Sequence, residues 1–481
     1  MSLKTAATVL ADKHTEAHNA VVDPVVHFGA LGNSSFSGGG ADDTAALQNS
    51  VDAALGGAMP GGVPTPTRYG YDGAGHVRVP AGFFRLTAPL VFRGVRGLLF
   101  EGAGREATIF VVDGTVAQAL QLLGVSYSAF RNFSIVGAGD FAGTGHATYG
   151  ISLDWDPALT ISSSSRNHFE NIWVRNLDVK YPYAIGPDSV NYDVSNTKWV
   201  NCHASGNFVQ GSGNTTKFQA GFLVGSGVSG NALNHYFEDC HNLYLRRGYH
   251  VQSVDNVAIT NGDSGYLEDF VYKTGPGSVA IRDTRVEETW RLALSGGAAG
   301  FTSHLLADNI GWRPGGSGEA NGRMVDWQYT GSVLLRALHT SIPTNNSLTQ
   351  HVRVSVAAGK PVHVRLEGAS VGGLTTLSDF VEASGASEVY FDSFGVNGID
   401  SSGGLVTQFP AAYISYTNAE ARINPKSIRV GTSTGPLVLT GTGTPEAAVT
   451  APVGSLFLRT DSATSLYVKQ TGAGNTGWVA K

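Results

Sequence analysis

Three carboxylates, Glu170, Glu238 and Asp263, stand at outward positions of a repeated phrase that also carries Trp173, His203, His241, Arg282 and Arg285. These residue types suit a sugar polymer. A carboxylic acid and a carboxylate on either side of a glycosidic bond can give a proton to the leaving oxygen and take one from water. An indole offers an apolar face to a pyranose ring, and guanidinium groups grip acidic substituents through paired hydrogen bonds. The motif LDWDP at 153–157 offers a second candidate, with Asp154, Trp155 and Asp156 on a loop, and Glu287 and Glu288 follow the last repeat on the same face. The first set is scattered over more than a hundred residues, so a periodic fold must gather it.

The phrase FEDCHN at 237–242 nearly repeats FENIWV at 169–174, and FRNFSI, WVNCHA, ITNGDS and IRDTRV fit the same frame. Aligned on the Asn or Asp, the column reads Asn132, Asn171, Asn201, Asp239, Asn261 and Asp283, with successive steps of 39, 30, 38, 22 and 22 residues. A period of this kind marks a solenoid. Two residues before the column stand Phe130, Phe169, Trp199, Phe237, Ile259 and Ile281, all large and apolar, and one before it an outward residue, which is the period of two of a strand. Past the column the apolar slot returns at once (Phe133, Ile172, Cys202, Cys240), so the alternation slips and the chain bends there. Asn and Asp tolerate the left-handed backbone such a bend needs. The pattern predicts an all-β chain, a right-handed parallel β-helix with an internal Asn ladder in which Asn171, Asn201 and Asn261 are buried and bonded from coil to coil.

Coils rising about 4.8 Å apart bring outward slots into rows. Ser134, Trp173, His203, His241, Asp263 and Arg285 fill one outward slot, in which His241, Asp263 and Arg285 form a contiguous polar stripe with Trp173 at its edge, while Glu170 and Glu238, two coils apart, are separated by roughly 10 Å, near the upper end of the spacing inverting glycosidases use. Ordinary cross-strand pairs on a solvated sheet would give the same rows, and both readings remain open. Asp239 and Asp283 are assigned to the ladder because they occupy its column.

With 63 glycines and only 15% charged residues in 481, the chain suits short strands and tight turns, and 42% hydrophobic residues supply a long core. No apolar run reaches the length of a membrane span, so no membrane insertion is expected. The start, MSLKTAATVLADKHTEAHNA, lacks the apolar core of a signal peptide. A net charge of −6 argues against a nucleic-acid partner. Cys202 and Cys240 share one apolar slot in consecutive repeats and read as stacked core thiols. No Cys/His metal spacing, phosphate loop or GxSxG elbow occurs, so no metal and no cofactor is expected, and catalysis would be metal-free hydrolysis or elimination.

HFGALGNSSFSGGGADDTAALQNSVDAALGG (27–57), GHVRVPAGFFRLTAPLVF (75–92) and GLLFEGAGREATIF (97–110) resemble the opening of the pectate-lyase superfamily, which includes bacteriophage tailspikes. In that family a helix after an Asp-Asp-Thr closes the end of the β-helix. Locally, Asp42 or Asp43 can cap a helix from about Thr44, with Leu47, Val51 and Leu55 on one face and Gly56-Gly57 as its stop. The closing stretch TAPVGSLFLRTDSATSLYVKQTGAGNTGWVAK (450–481) is similar to a short module at the ends of phage tail proteins and reads as three strands. Such a piece is too small to bury much core alone, which points to trimerisation. The Asp-rich strand motif of a calcium-dependent lyase is missing.

The resemblance implies a homotrimeric tailspike of the virion tail, made in the host cytoplasm, that recognises and depolymerises a host surface polysaccharide and meets other tail proteins through its N-terminus. A non-catalytic receptor-binding or structural tail protein and a free bacterial polysaccharide-degrading enzyme are the alternatives. The expected layout is a helical segment at 1–24, with a heptad seam from Leu3 to Val21 that is either a docked helix or a trimer stalk; a cap and first coils at 25–110; a central β-helix at 111–300; further coils or a β-sandwich at 301–430; and a C-terminal β module at 431–481.

Overall fold

The computed structural model describes residues 21–55, 75–139, 148–156, 163–187, 194–214, 216–226, 232–296, 301–315, 322–341, 348–354, 361–367, 370–374, 379–383, 388–394, 397–400, 427–429, 435–463 and 465–481. The heptad seam before Val21 and the glycine pair at 56 and 57 lie outside them. Large apolar residues at alternate positions make strands that are buried on one side, and each strand pairs with its equivalent one coil further on. Among the described residues the coils build one sheet of twenty strands, a second of eleven and a short third of three, all paired in parallel. The architecture is a right-handed parallel β-helix.

The repeat frame is the register of the largest sheet. Phe130, Phe169, Trp199, Phe237, Ile259 and Ile281 are successive partners, all buried. Their rings stack along the axis, Phe130 on Phe169 at 5.2 Å and Phe169 on Trp199 at 3.8 Å between centroids. All six column residues are left-handed, with φ from 49° at Asn201 to 64° at Asn132. The column continues beyond the frame at Asn309 (φ 53°) and Ala337 (φ 48°). The strands Thr302–Trp312 and Thr330–Ser341 that carry them, and the later Pro361–Glu367, Ser370–Leu374, Glu388–Phe394 and Asn397–Asp400, pair in parallel with the same sheet.

The ladder is external, which corrects the expectation of buried asparagines. Asn132, Asn171 and Asn201 are half-buried, while Asp239, Asn261, Asp283 and Asn309 are exposed. At a left-handed corner the flanking residues fill the core, and the corner side chain is turned outward. The amides still bond where two neighbours allow it: Asn171 Nδ2 donates to Asn132 Oδ1 at 2.9 Å, Asn201 Nδ2 to Asn171 Oδ1 at 3.2 Å, and Asn309 Nδ2 to Asp283 Oδ1 at 2.7 Å. Past Asn201 the run stops, with the Asn201 oxygen taken by Arg105 and no amide at Asp239 to offer it a donor. Cys202 and Cys240 are buried free thiols.

The N-terminal end is closed by a helix, Thr44–Ala54, that buries Leu47, Val51 and Ala54. Its two acidic neighbours divide the work. Asp42 accepts the N–H and hydroxyl of Thr44 (3.1 and 2.6 Å), while Asp43 turns back to the N–H groups of Leu31 and Gly32 (2.6 and 3.2 Å). Gln48 replaces a missing coil: its amide donates to Val91 O at 2.9 Å and accepts from Val91 N at 2.8 Å, on the first strand of the eleven-stranded sheet, Leu90–Arg93. At the other end of the chain, Ser427–Arg429, Leu437–Gly441, Leu456–Arg459, Leu466–Lys469 and Trp478–Ala480 form a separate, mostly antiparallel sheet. Its buried apolar cluster is Ala451, Phe457, Tyr467 and Trp478.

Candidate functional site

Strand pairing places the outward stripe in continuous register. Ser134, Trp173, His203, His241, Asp263 and Arg285 are successive partners, and the row runs on through Gly311 to His339. Beside it, across the corner, a second row runs Glu170, Val200, Glu238, Thr260, Arg282, Asp308 and Arg336. Glu170 and Glu238 are thus two coil steps apart, with Val200 between them.

The upstream end of the stripe is aromatic and cationic. Arg175 lies 4.1 Å and Arg105 5.7 Å from the Trp173 ring, and the indole N–H donates to Ser205 Oγ at 3.1 Å. His203 and His241 stack at 4.2 Å between ring centroids. Arg105 Nη1 lies 3.1 Å from His203 Nδ1 and donates to the Asn201 side-chain oxygen at 3.4 Å. Burial first, then the charges of His241 and Arg105, push the His203 imidazole down to about 3, so it is neutral at physiological pH. Arg105 sits on a turn 68 positions before Trp173, and only coil stacking brings the two together.

The named carboxylates differ in their surroundings. Glu238 pairs with Lys198 at 2.7 Å, and Glu170 lies 3.6 Å from His168; all four side chains are partly exposed. Asp263 is exposed between His241 and Arg285. Arg282 is exposed in the second row, next to Asp308, which Arg336 engages at 2.8 Å. The loop candidate fails on burial. Asp156 is fully buried and takes both ends of the Arg93 guanidinium, with Nη2 at 2.8 Å, and Asp154 is buried as well. An ion pair of that kind holds a loop down and presents nothing to a sugar.

Further down, the stripe opens into a cleft of about 600 Å³ lined by Asp283, Arg285, Glu287, Gly311, Arg313 and His339, among others. Arg285 Nε donates to Glu287 at 2.9 Å, Arg313 lies 3.5 Å from Glu288, and Asp283 accepts the Asn309 amide. Of these lining residues only Arg285 and the two carboxylates stood out in the sequence. The step of 26 from Asp283 to Asn309 was the signal that could have found the next coil, but the apolar slot there holds the small Ala307, and the following corner holds Ala337. Among the described residues no group of three or more His, Cys, Asp and Glu is placed to hold a metal ion.

No protein-family model and no curated protein sequence matches the chain. Several solved structures are similar in fold, among them two that align over most of the chain. The A-module of the mannuronan C-5 epimerase AlgE4 of Azotobacter vinelandii aligns at 16% identity with a TM-score of 0.50, covering 82% of this chain and 100% of that one. The gp42 tailspike of Acinetobacter phage vb_AbaP_AS12 aligns at 11% identity with a TM-score of 0.51, covering 95% of this chain and 76% of that one. At these identities the likeness is one of architecture.

Proposed function

We propose that the protein is a tailspike-type component of a phage virion that recognises and cleaves a host surface polysaccharide along the stripe from Trp173 to His339. One observation carries the reading: six of seven successive coils place aromatic, imidazole, carboxylate and guanidinium side chains in a single register that opens into a cleft. Six coil steps of about 4.8 Å give roughly 29 Å of groove, a length for an oligosaccharide rather than a small metabolite. Trp173, His203, His241, Arg282 and Arg285 hold the chain. Glu238 and Asp263, one coil apart on either side of the corner, act as acid and base, with Glu170 as the alternative carboxylate. The fold shared with a tailspike and a polysaccharide-modifying module supports this class of ligand.

Attachment to other tail proteins through the N-terminus and assembly as a homotrimer belong to the same proposal. The trimer rests on the small core of the C-terminal sheet. Light scattering should then give three times 50.3 kDa, about 151 kDa, and a mass of one chain would remove the trimer. For the chemistry, the protein is incubated with capsule or lipopolysaccharide while new reducing ends and unsaturated-sugar absorbance are followed. Glu238→Gln and Asp263→Asn should each lower turnover by about 100-fold or more with the fold intact; changes within about twofold would make both ordinary surface residues. A binding-only tail protein is the second reading, favoured by the Lys198 pairing that already occupies Glu238. Binding without cleavage by the parent protein would select it.

A further inference from the structure

Every coil from Trp173 to Arg285 sends a side chain outward into the stripe, and the coil after Arg285 sends none. That position is Gly311, paired with Arg285 on one side and His339 on the other. Glycine in a strand interior weakens the strand, so its presence needs a cause, and the usual causes are a left-handed backbone or a close approach of other atoms. Neither applies. Gly311 is not among the residues with positive φ, and a Cβ added there meets nothing within 4 Å. By contrast Gly331, a glycine early in the next strand of the sheet, has a φ of 121° and would drive its Cβ to 2.1 Å from Ser303 O. What the missing side chain at 311 leaves is the cleft itself.

We infer that this cleft is a subsite for one uncharged, hydroxyl-rich pyranose unit of the bound glycan, and that Gly311 is the residue that makes room for the ring. The inference rests on the groove reading given above. Charge argues for a neutral unit. Arg285 is already matched by Glu287 and Arg313 by Glu288, while Asp283 accepts the neutral Asn309 amide and keeps its negative charge. A ring bearing only hydroxyls can accept from the guanidinium groups and donate to the carboxylates without disturbing either ion pair. A carboxylate-bearing ring would add a further negative charge where three carboxylates, Asp283, Glu287 and Glu288, already face only two guanidinium groups, Arg285 and Arg313. The two ends of the stripe therefore differ, since the Arg105 guanidinium upstream is held by neutral partners, the Asn201 oxygen and the uncharged His203 ring.

The test uses saturation-transfer NMR on the full chain with four probes at millimolar concentration: D-glucose, D-galactose, D-glucuronate and D-galacturonate. One or both hexoses should give a signal that Gly311→Val abolishes and that exceeds either uronate's. Thermal unfolding of the Val variant should be unchanged or shifted upward, because the added side chain enters open space and favours the strand. Should Val disturb the fold, Gly311→Ala adds only the one carbon and should weaken the signal at the parental Tm. An unchanged hexose signal in a folded Val or Ala variant overturns the subsite, and a stronger uronate signal that Gly311→Val removes overturns the neutral assignment. The same variants assayed with surface polysaccharide separate this inference from the groove reading. Equal polysaccharide binding by parent and variant sinks the subsite and leaves the groove standing, whereas hexose binding lost in Gly311→Val without any polysaccharide binding by the parent sinks the groove and leaves the subsite.

Discussion

A corner asparagine supplies two things, a tolerance of left-handed backbone and an amide that reaches the next coil, and substitution can separate them. Glycine keeps the first and removes the second. Asn171 both donates to Asn132 and accepts from Asn201, whereas Asn261 is exposed at the same kind of corner. Asn171→Gly should therefore cost about 1–2 kcal/mol, while Asn261→Gly should stay within about 0.5 kcal/mol of the parent, read from denaturant midpoints. Equal effects at the two sites would mean that the ladder bonds add nothing beyond their exchange with water. The outward residues of the stripe were legible in the sequence because a strand's period of two leaves little choice of face. Arg105 was not legible, because its contact with Trp173 and His203 depends on how a turn folds over the stack. Gly311 was invisible for the opposite reason, since a vacancy carries no chemical signature until its neighbours are in place.

At the scale of the coil, the frame of apolar residue, outward residue and corner Asn was readable wherever the apolar slot held Phe, Trp or Ile. It faded at Ala307 and Ala337, where small residues occupy the diagnostic positions, so two coils that continue the sheet without a break could not be registered beforehand. The direction of the corner side chains was not legible, because left-handed geometry alone does not say which way Cβ points. Ala337 offers a test of what the column requires. Its φ of 48° is unfavourable for a residue with a Cβ and no local hydrogen bond to offset it. Ala337→Asn should raise stability by roughly 0.5–1 kcal/mol, measured as a higher unfolding midpoint, through relief at the corner and an amide within reach of the Asn309 coil. A lower midpoint would mean that Ala is retained there for packing.

For the molecule as a whole, buried bases set the response to pH. Burial pushes His235 down to about 4, and burial together with Arg247, Lys180 and Lys273 pushes His250 down to about 3. Between an unfolded value near 6.5 and these folded values the unfolded chain holds the extra protons. Stability is therefore lost as pH falls through that window, by about 1.4 kcal/mol per pH unit for each imidazole. Lys273, pushed down to about 7 by burial, has the same sign in a higher window: stability rises from about pH 7 toward the unfolded lysine value near 10.4. Unfolding midpoints measured from pH 8 to pH 4 should drop steeply below about pH 6, and a flat profile would mean that both rings protonate in the folded state at no cost. The closed N-terminal end has a consequence of another kind. Rungs of parallel strands stacked along an axis are also the arrangement of an amyloid fibril, and a soluble solenoid differs from one chiefly in refusing newcomers at its ends. By taking up both backbone groups of Val91, the Gln48 amide denies a stranger's strand its foothold on the first strand of the eleven-stranded sheet.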